Sequence, residues 1–190
     1  MNYKDMVGGR NVWNEMSAWQ FDLMVNAGLK PRHLMLDIGC GSLRGGRKFA
    51  KYLEPNHYYG TDKNEELFME GLENELEDIP VTFQRDEYFI IPFNRKFDYV
   101  LAQSVFTHVP FSMFKECLRN LQPKLKKDGK FIFTFFDKNR PPSWIDVTSY
   151  TDPFCYKLGD IELAIAGNYE MEEIEKQHPR QQKTIMLTKK

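Results

Sequence analysis

A carboxylate and three glycines lie close together at Asp37, Gly39, Gly41 and Gly45. Glycines at these positions allow a tight turn between a strand and a helix, and they let a ligand approach the backbone closely. The first amides of the helix that follows can donate to polar ligand atoms. Asp37 disfavours a pyrophosphate at this turn and suits a ligand that carries an ammonium group. The pattern therefore predicts a binding site for an amino-acid-like ligand.

A second carboxylate, Asp62, lies 23 positions after Gly39. Nucleotide-binding folds place a ribose-binding carboxylate about 20 residues after the glycine turn, because the ends of adjacent strands are neighbours in space. A dinucleotide fingerprint would need its third glycine at position 44, where this chain has Arg44. This spacing argues against a nicotinamide-dependent oxidoreductase, which stays an alternative. Asp62 could otherwise cap the helix that begins near Asn64.

The elements that position these residues are predicted from hydrophobic spacing. Helices are predicted over residues 13–28, 43–53, 64–76, 112–125 and 158–166, and strands over residues 33–38, 57–61, 81–84, 97–103, 130–136, 169–174 and 183–187. Gly129 is predicted to cap the helix over 112–125. Alternating strands and helices indicate an α/β fold with a mostly parallel sheet. The last two strands have no helix between them and are expected to be antiparallel.

On these motifs the chain resembles the class I S-adenosylmethionine-dependent methyltransferases, whose first motif is a carboxylate followed by three spaced glycines. The resemblance implies a Rossmann-like, doubly wound, seven-stranded sheet with an antiparallel last strand and helices on both faces. It implies that the glycine turn frames the methionine part of S-adenosyl-L-methionine and that Asp62 bonds both ribose hydroxyls. The cofactor-binding residues expected on this basis are Asp37, Gly39, Cys40, Gly41, Ser42, Gly45, Asp62, Lys63, Asp86, Gln103 and Ser104.

Three of these residues, Asp86, Gln103 and Ser104, are assigned from the resemblance more than from spacing. Asp86 follows the third predicted strand and is expected to contact the adenine amino group, although a solvated turn explains an acidic residue there equally well. Gln103 and Ser104 follow the fourth strand and are expected beside the cofactor. The segment lacks the Asn-Pro-Pro-Tyr type of sequence of enzymes that methylate exocyclic amines of nucleic-acid bases, which disfavours DNA methylation.

His108 is the candidate catalytic residue, since a neutral imidazole can take a proton from an acceptor hydroxyl. Packing or capping ahead of a helix is its alternative role. Phe136 and Trp144 are candidates for the wall of an acceptor pocket, and core packing or loop cover is the alternative. The segment from Gly8 to Trp13 lies outside the motif and is a candidate cover for the cofactor.

Composition limits the partners and the compartment. A net charge of -1 provides no overall electrostatic attraction for the phosphate backbone of a nucleic acid. No apolar run approaches the roughly 20 residues of a membrane-spanning helix. Nucleic acid and membrane are therefore not expected partners, and no metal site is expected. The three cysteines have neither metal-ligand nor disulfide spacing, and the first residues do not resemble a signal peptide, so a cytoplasmic location is expected.

The sequence predicts one methyltransferase domain over residues 1–190, with a helical cap at 1–30 and a Rossmann-like core at 31–190. The expected reaction is methyl transfer from S-adenosyl-L-methionine to a hydroxyl or amine of a small-molecule acceptor. A methyltransferase acting on protein or RNA, and a non-catalytic cofactor-binding protein, are the alternatives. The sequence leaves the acceptor and the oligomeric state open.

Overall fold

The computed structural model describes residues 3–7, 10–76, 78–146 and 151–190. Gly8 and Gly9, two of the residues considered as a cofactor cover, lie outside these ranges. The chain divides into two compact units, residues 1–87 and 88–190. Each unit is built from strands connected through helices. The prediction of one domain over 1–190 stays a prediction.

The first unit contains three parallel strands. Its elements are α1 (Trp13–Asn26), β1 (Met35–Ile38), α2 (Gly46–Tyr52), β2 (Tyr58–Asp62), α3 (Glu65–Glu75) and β3 (Thr82–Arg85), with a 3₁₀ turn at Arg10–Val12. Strand β2 lies between β1 and β3, with Asp37 opposite Gly60 and Asp62 opposite Arg85. Because the strands are parallel, their carboxyl ends share one edge, and both carboxylates lie at or near that edge.

Packing and capping account for the helices of the first unit. Helix α1 buries Trp13, Met16 and Met24, and the chain leaves it through Gly28, whose φ of 103° lies in the left-handed region that favours glycine. Helix α3 begins after Asn64, whose side-chain oxygen accepts from the Leu67 amide at 3.0 Å. Phe68 of α3 stacks on Phe83 of β3 with ring centroids 3.9 Å apart.

The second unit contains a mixed sheet. Its elements are β4 (Phe97–Ala102), α4 (Phe111–Leu121), a 3₁₀ turn (Gln122–Lys124), β5 (Leu125–Asp137), β6 (Cys155–Tyr156), α5 (Leu158–Ile165), β7 (Tyr169–Glu173) and β8 (Lys183–Lys189). Strands β4 and β6 pair with β5 in parallel, whereas β8 lies between β5 and β7 and is antiparallel to both. The predicted antiparallel pairing of the last two strands is therefore confirmed.

The boundary of α4 differs from the sequence prediction. The helix ends at Leu121 because Pro123 follows, and proline lacks the amide that a continuing helix requires. Gly129 lies inside β5, so its predicted role as a helix cap is wrong. The two-residue strand β6 adds to the seven predicted strands. Among the described residues, no helix is long and apolar enough to cross a membrane.

Candidate functional site

The glycine turn connects β1 to α2 in a backbone conformation that is unfavourable for residues other than glycine. Gly39 and Gly41 have φ values of 68° and 54°, where residues with a Cβ are strained. The amides of Gly39 and Cys40 both donate to the Thr61 carbonyl, at 2.7 and 3.0 Å, which ties the turn to the end of β2. Gly39 is exposed although Ile38 and Cys40 on either side are buried. Gly39 is thus the residue of this turn whose backbone is exposed.

Asp62 connects the turn to helix α3 through both of its carboxylate oxygens. Oδ2 accepts from the Gly41 amide and Oδ1 accepts from the Asn64 amide, each at 2.9 Å. A carboxylate has about four lone-pair sites, so each oxygen keeps the capacity for one more donor. The side chain is half-buried and remains accessible. Asn64 is the capping residue of α3, so Asp62 supports the helix start without being its N-cap.

Asp37 lies on β1 and is bonded within the protein. Its Oδ2 accepts from the Tyr58 hydroxyl at 2.8 Å, and only 4% of the residue is exposed. The pKa of Asp37 is raised to about 7. Burial is the largest cause and the nearby charge of Asp62 adds to it, whereas the Tyr58 hydroxyl and Arg44 act in the opposite direction. The two carboxylates are therefore close enough to interact electrostatically. The predicted contact of Asp37 with a ligand ammonium group stays a prediction.

The other residues of the turn contact surrounding elements. The Cys40 sulfur would lie 2.9 Å from a Cβ at Gly60, and burial raises the pKa of the Cys40 thiol, so this cysteine packs as an apolar group. Ser42 is fully buried, and its hydroxyl donates to the Tyr3 carbonyl at 3.2 Å. Gly45 is the N-cap of α2. These positions shape the turn and hold it in place.

Residues ahead of α1 lie on the same turn. The Val7 side chain would be 2.9 Å from a Cβ at Gly41, and the Arg44 guanidinium donates to the Val7 carbonyl. Glu75 of α3 anchors this segment by accepting from the Tyr3 hydroxyl at 2.8 Å and pairing with Lys4 at 3.0 Å. The segment from Tyr3 to Val7 therefore covers part of the glycine turn.

Gly71, in the middle of α3, packs against the turn and was not predicted from the sequence. A Cβ there would lie 2.4 Å from the Ser42 carbonyl oxygen and 2.5 Å from its carbonyl carbon. The backbone of α3 therefore lies directly against the backbone of the turn. The available signal was a glycine in the interior of an amphipathic helix, where glycine is unfavourable unless close packing requires it.

Lys63 and Asp86 complete the predicted residues of the first unit. Lys63 is exposed directly after β2, and Asp86 is half-buried directly after β3, with its amide donating to the Asp62 carbonyl at 2.9 Å. The ends of β2 and β3 thus bring Asp62 and Asp86 together. All predicted cofactor residues up to position 86 belong to the first unit.

Gln103 and Ser104 belong to a polar network in the second unit. The Ser104 hydroxyl accepts from Gln182 Nε2 at 2.8 Å, and the Ser104 amide donates to the Thr134 hydroxyl at 2.8 Å. Gln103 Nε2 lies 3.2 Å from His178 Nε2, and Gln103 also bonds the Ser104 hydroxyl. The sequence did not reveal Thr134 of β5, or His178 and Gln182 ahead of β8, because the pairing of β5 with β4 and β8 brings them to Gln103 and Ser104 only after folding.

The predicted acceptor residues also belong to the second unit. Phe136 is buried near the end of β5, and the Trp144 ring meets it edge-on with centroids 5.3 Å apart. Trp144 is 61% exposed and offers a free aromatic surface. His108 is exposed, and its Nδ1 lies 2.9 and 2.8 Å from the two carboxylate oxygens of Asp152. Asp152 was not predicted as a site residue.

The sequence matches a family model described as a methyltransferase domain over residues 36–131, about half of the chain. No curated protein matches the chain significantly.

The solved structures that share its Rossmann-like α/β fold include three methyltransferases. A S-adenosylmethionine-dependent methyltransferase from Clostridium acetobutylicum is 14% identical, with a TM-score of 0.72 and coverage of 93% of this chain and 91% of that one. The amino pentose methyltransferase CalS10 from Micromonospora echinaspora, solved with S-adenosylmethionine, is 12% identical, with a TM-score of 0.73 and coverage of 94% and 92%. Magnesium protoporphyrin IX methyltransferase from Synechocystis, also with the cofactor bound, is 18% identical, with a TM-score of 0.67 and coverage of 98% and 82%.

Proposed function

Since this chain belongs to the methyltransferase-domain family and is an S-adenosylmethionine-dependent enzyme, we propose that it methylates a hydroxyl or amine of a small-molecule acceptor. The observation that carries the proposal is the pair formed by the exposed Gly39 backbone and Asp62. This pair offers backbone surface for the amino-acid part of a ligand and free carboxylate lone pairs for a ribose diol.

The residues of the first unit fit S-adenosyl-L-methionine. Asp62 would hold the two ribose hydroxyls with the lone pair that each of its oxygens keeps. Gly39 would meet the ligand through its exposed backbone, with Gly41 and Gly45 shaping the turn around it. Asp86 would contact the adenine amino group, and Lys63 lies exposed beside Asp62. Cys40 and Ser42 would act through the shape of the turn, because their side chains are buried.

The protein contributes to the reaction chiefly by positioning the acceptor next to the cofactor. When bound, the cofactor supplies a methyl carbon activated by a sulfonium. Holding an acceptor atom about 3 to 3.5 Å from that carbon would supply much of the rate, because a bimolecular encounter becomes unimolecular. Gln103 and Ser104 would lie beside the cofactor, with their side chains fixed by Gln182 and Thr134.

Three observations favour a small acceptor. Trp144 offers an exposed aromatic face supported by Phe136, which suits a compact organic molecule. The net charge of -1 provides no attraction for RNA. Two structural neighbours are named for small-molecule substrates, an amino pentose and magnesium protoporphyrin IX. Cys40, Cys117 and Cys155 form no disulfide, which suits the cytoplasmic location that we propose.

We further propose that residues 1–190 form a single methyltransferase domain, with residues 1–30 as its helical cap and residues 31–190 as its core. Structural similarity over 98% of the chain to a methyltransferase supports this assignment. Limited proteolysis with and without S-adenosylmethionine checks it, because one domain should gain protection across its whole length when the ligand binds.

Calorimetry with S-adenosylmethionine and its demethylated product tests the cofactor site. We expect both to bind the parent chain, and we expect Asp62→Ala and Gly39→Val each to weaken binding at least about tenfold, which is about 1.4 kcal/mol. Asp62→Ala removes the carboxylate that accepts from the Gly41 and Asn64 amides, as well as the proposed ribose contacts. Gly39→Val adds a side chain at a φ of 68°.

Asp22→Ala is the matched control, because Asp22 is an exposed residue of α1 and should leave binding unchanged. A parent chain that binds neither compound would contradict the proposed function. Binding followed by no methyl transfer to any small molecule, protein or RNA would favour a cofactor-binding protein without catalysis. Methyl transfer to protein or RNA alone would contradict the proposal of a small-molecule acceptor and favour a macromolecular one.

A further inference from the structure

His108 and Asp152 form a closely bonded pair although they are 44 residues apart in the chain. His108 Nδ1 lies 2.9 Å from Asp152 Oδ1 and 2.8 Å from Oδ2. Both side chains are more than half exposed, at 59% and 56%. Exposed ion pairs contribute only about 0–1 kcal/mol to stability, so stability gives little reason for this arrangement.

The backbone on both sides of the pair is fixed. The Phe154 amide donates to the Thr107 carbonyl at 2.8 Å, which joins the two segments next to His108 and Asp152. Buried Thr107 donates from its hydroxyl to the Ser104 carbonyl at 2.8 Å, and the Tyr156 hydroxyl donates to the Val109 carbonyl at 2.7 Å. The segment that carries His108 therefore has little freedom to move away from Asp152.

We propose that Asp152 is a positioning residue that holds the proton of His108 on Nδ1, so that Nε2 accepts the proton of a hydroxyl acceptor during methyl transfer. This inference rests on the proposed function and narrows its acceptor to a hydroxyl compound. A carboxylate at Nδ1 fixes the neutral tautomer with its lone pair on Nε2, and it stabilises the imidazolium that forms.

The proton and electron balance of the step is complete with these groups. The acceptor O–H bond breaks, its proton bonds to the Nε2 lone pair, and the oxygen electron pair forms the new bond to the methyl carbon. The electron pair of the broken carbon–sulfur bond stays on sulfur, which becomes a neutral thioether. His108 then releases its proton to water, which reaches the exposed side chain. An amine acceptor attacks with its free lone pair and depends less on such a base.

Nitrogen-15 NMR of histidine-labelled protein tests the pair without any acceptor. At a pH where His108 is neutral, we expect the parent chain to carry the proton on Nδ1. We expect Asp152→Ala to move it largely to Nε2, while the control Glu162→Ala, an exposed carboxylate of α5, leaves the tautomer unchanged. A parent chain with the His108 proton on Nε2 would overturn the proposal.

Methyl-transfer assays with a panel of small hydroxyl and amine acceptors, including 4-methylphenol and 4-methylaniline, test the base. We expect His108→Ala to lower kcat for the hydroxyl compound by about 10² to 10⁴ and Asp152→Ala by at least about tenfold, with much smaller losses for the amine. Added imidazole should partly restore His108→Ala. The inference would be overturned if the variants lost kcat equally for both compounds. It would also be overturned if S-adenosylmethionine bound but no hydroxyl compound of the panel were methylated. Absence of cofactor binding would instead contradict the proposed function.

Discussion

Gly71→Val is expected to reduce S-adenosylmethionine binding more than tenfold and to lower the free energy of unfolding by about 3 kcal/mol. A Cβ at this position would lie 2.4 Å from the Ser42 carbonyl oxygen, and neither the helix backbone nor the turn backbone can rotate away as a side chain can. Helix α3 or the glycine turn must therefore shift. Calorimetry with S-adenosylmethionine measures the loss of binding. Urea denaturation measures the change in the free energy of unfolding.

Gly159→Val supplies the matched control for this substitution. Gly159 is also a helical glycine, in α5, but a Cβ there would meet no atom within 4 Å. We expect this variant to bind the cofactor normally and to keep its stability within about 0.5 kcal/mol, as is usual for surface changes. If Gly71→Val behaved like the control, the close contact between α3 and the turn would be wrong.

Asp37→Asn is expected to change how stability depends on pH. Burial raises the pKa of Asp37 to about 7, whereas the unfolded chain has an ordinary carboxyl near 3.8. Between these values the native state holds a proton that the unfolded state has lost, so stability falls as the pH rises through this window. The fall is about 1.36 kcal/mol per pH unit at most, and about 4 kcal/mol in total.

The asparagine variant should lack this fall, because its side chain does not titrate, and its oxygen can still accept from the Tyr58 hydroxyl. The difference in unfolding free energy between variant and parent should therefore grow from pH 4 to pH 7 and stay constant above it. Urea denaturation across this range measures the difference. Asp22→Asn on the exposed face of α1 is the control, and a parallel pH profile for Asp37→Asn and the parent would contradict the buried, protonated state of Asp37.

The sequence predicted the residues that act within their own segment. The turn after β1 and the acidic end of β2 were identified because glycine spacing and the ends of adjacent parallel strands follow general geometry. The left-handed backbone of Leu43 in this turn could not be predicted in this way, since its φ of 62° is a conformation that leucine rarely adopts. Spacing alone could not predict the contact between Gly71 and Ser42 or the pairing of Asp152 with His108. Tertiary packing creates both contacts.

The errors in element boundaries also have physical causes. The polar residues from Lys126 to Gly129 favoured a helix end and a loop, yet β5 runs through them. Pro123 was the available signal for an earlier helix end. Strand β6 is too short for hydrophobic alternation to reveal it, and it exists because Cys155 pairs with Phe136 at the end of β5.

The position of β8 between β5 and β7 has a consequence for synthesis of the protein. Ribosomes make β8 after both of its neighbours. Until β8 emerges, β5 lacks one hydrogen-bonding partner, and β7 lacks the strand with which it pairs in the described part of the chain. The apolar residues Phe131, Phe133 and Phe135 then border an unpaired edge, which invites association with other nascent chains. Cotranslational folding of this half must therefore wait for its final strand, and chaperone binding should be strongest just before that strand leaves the exit tunnel.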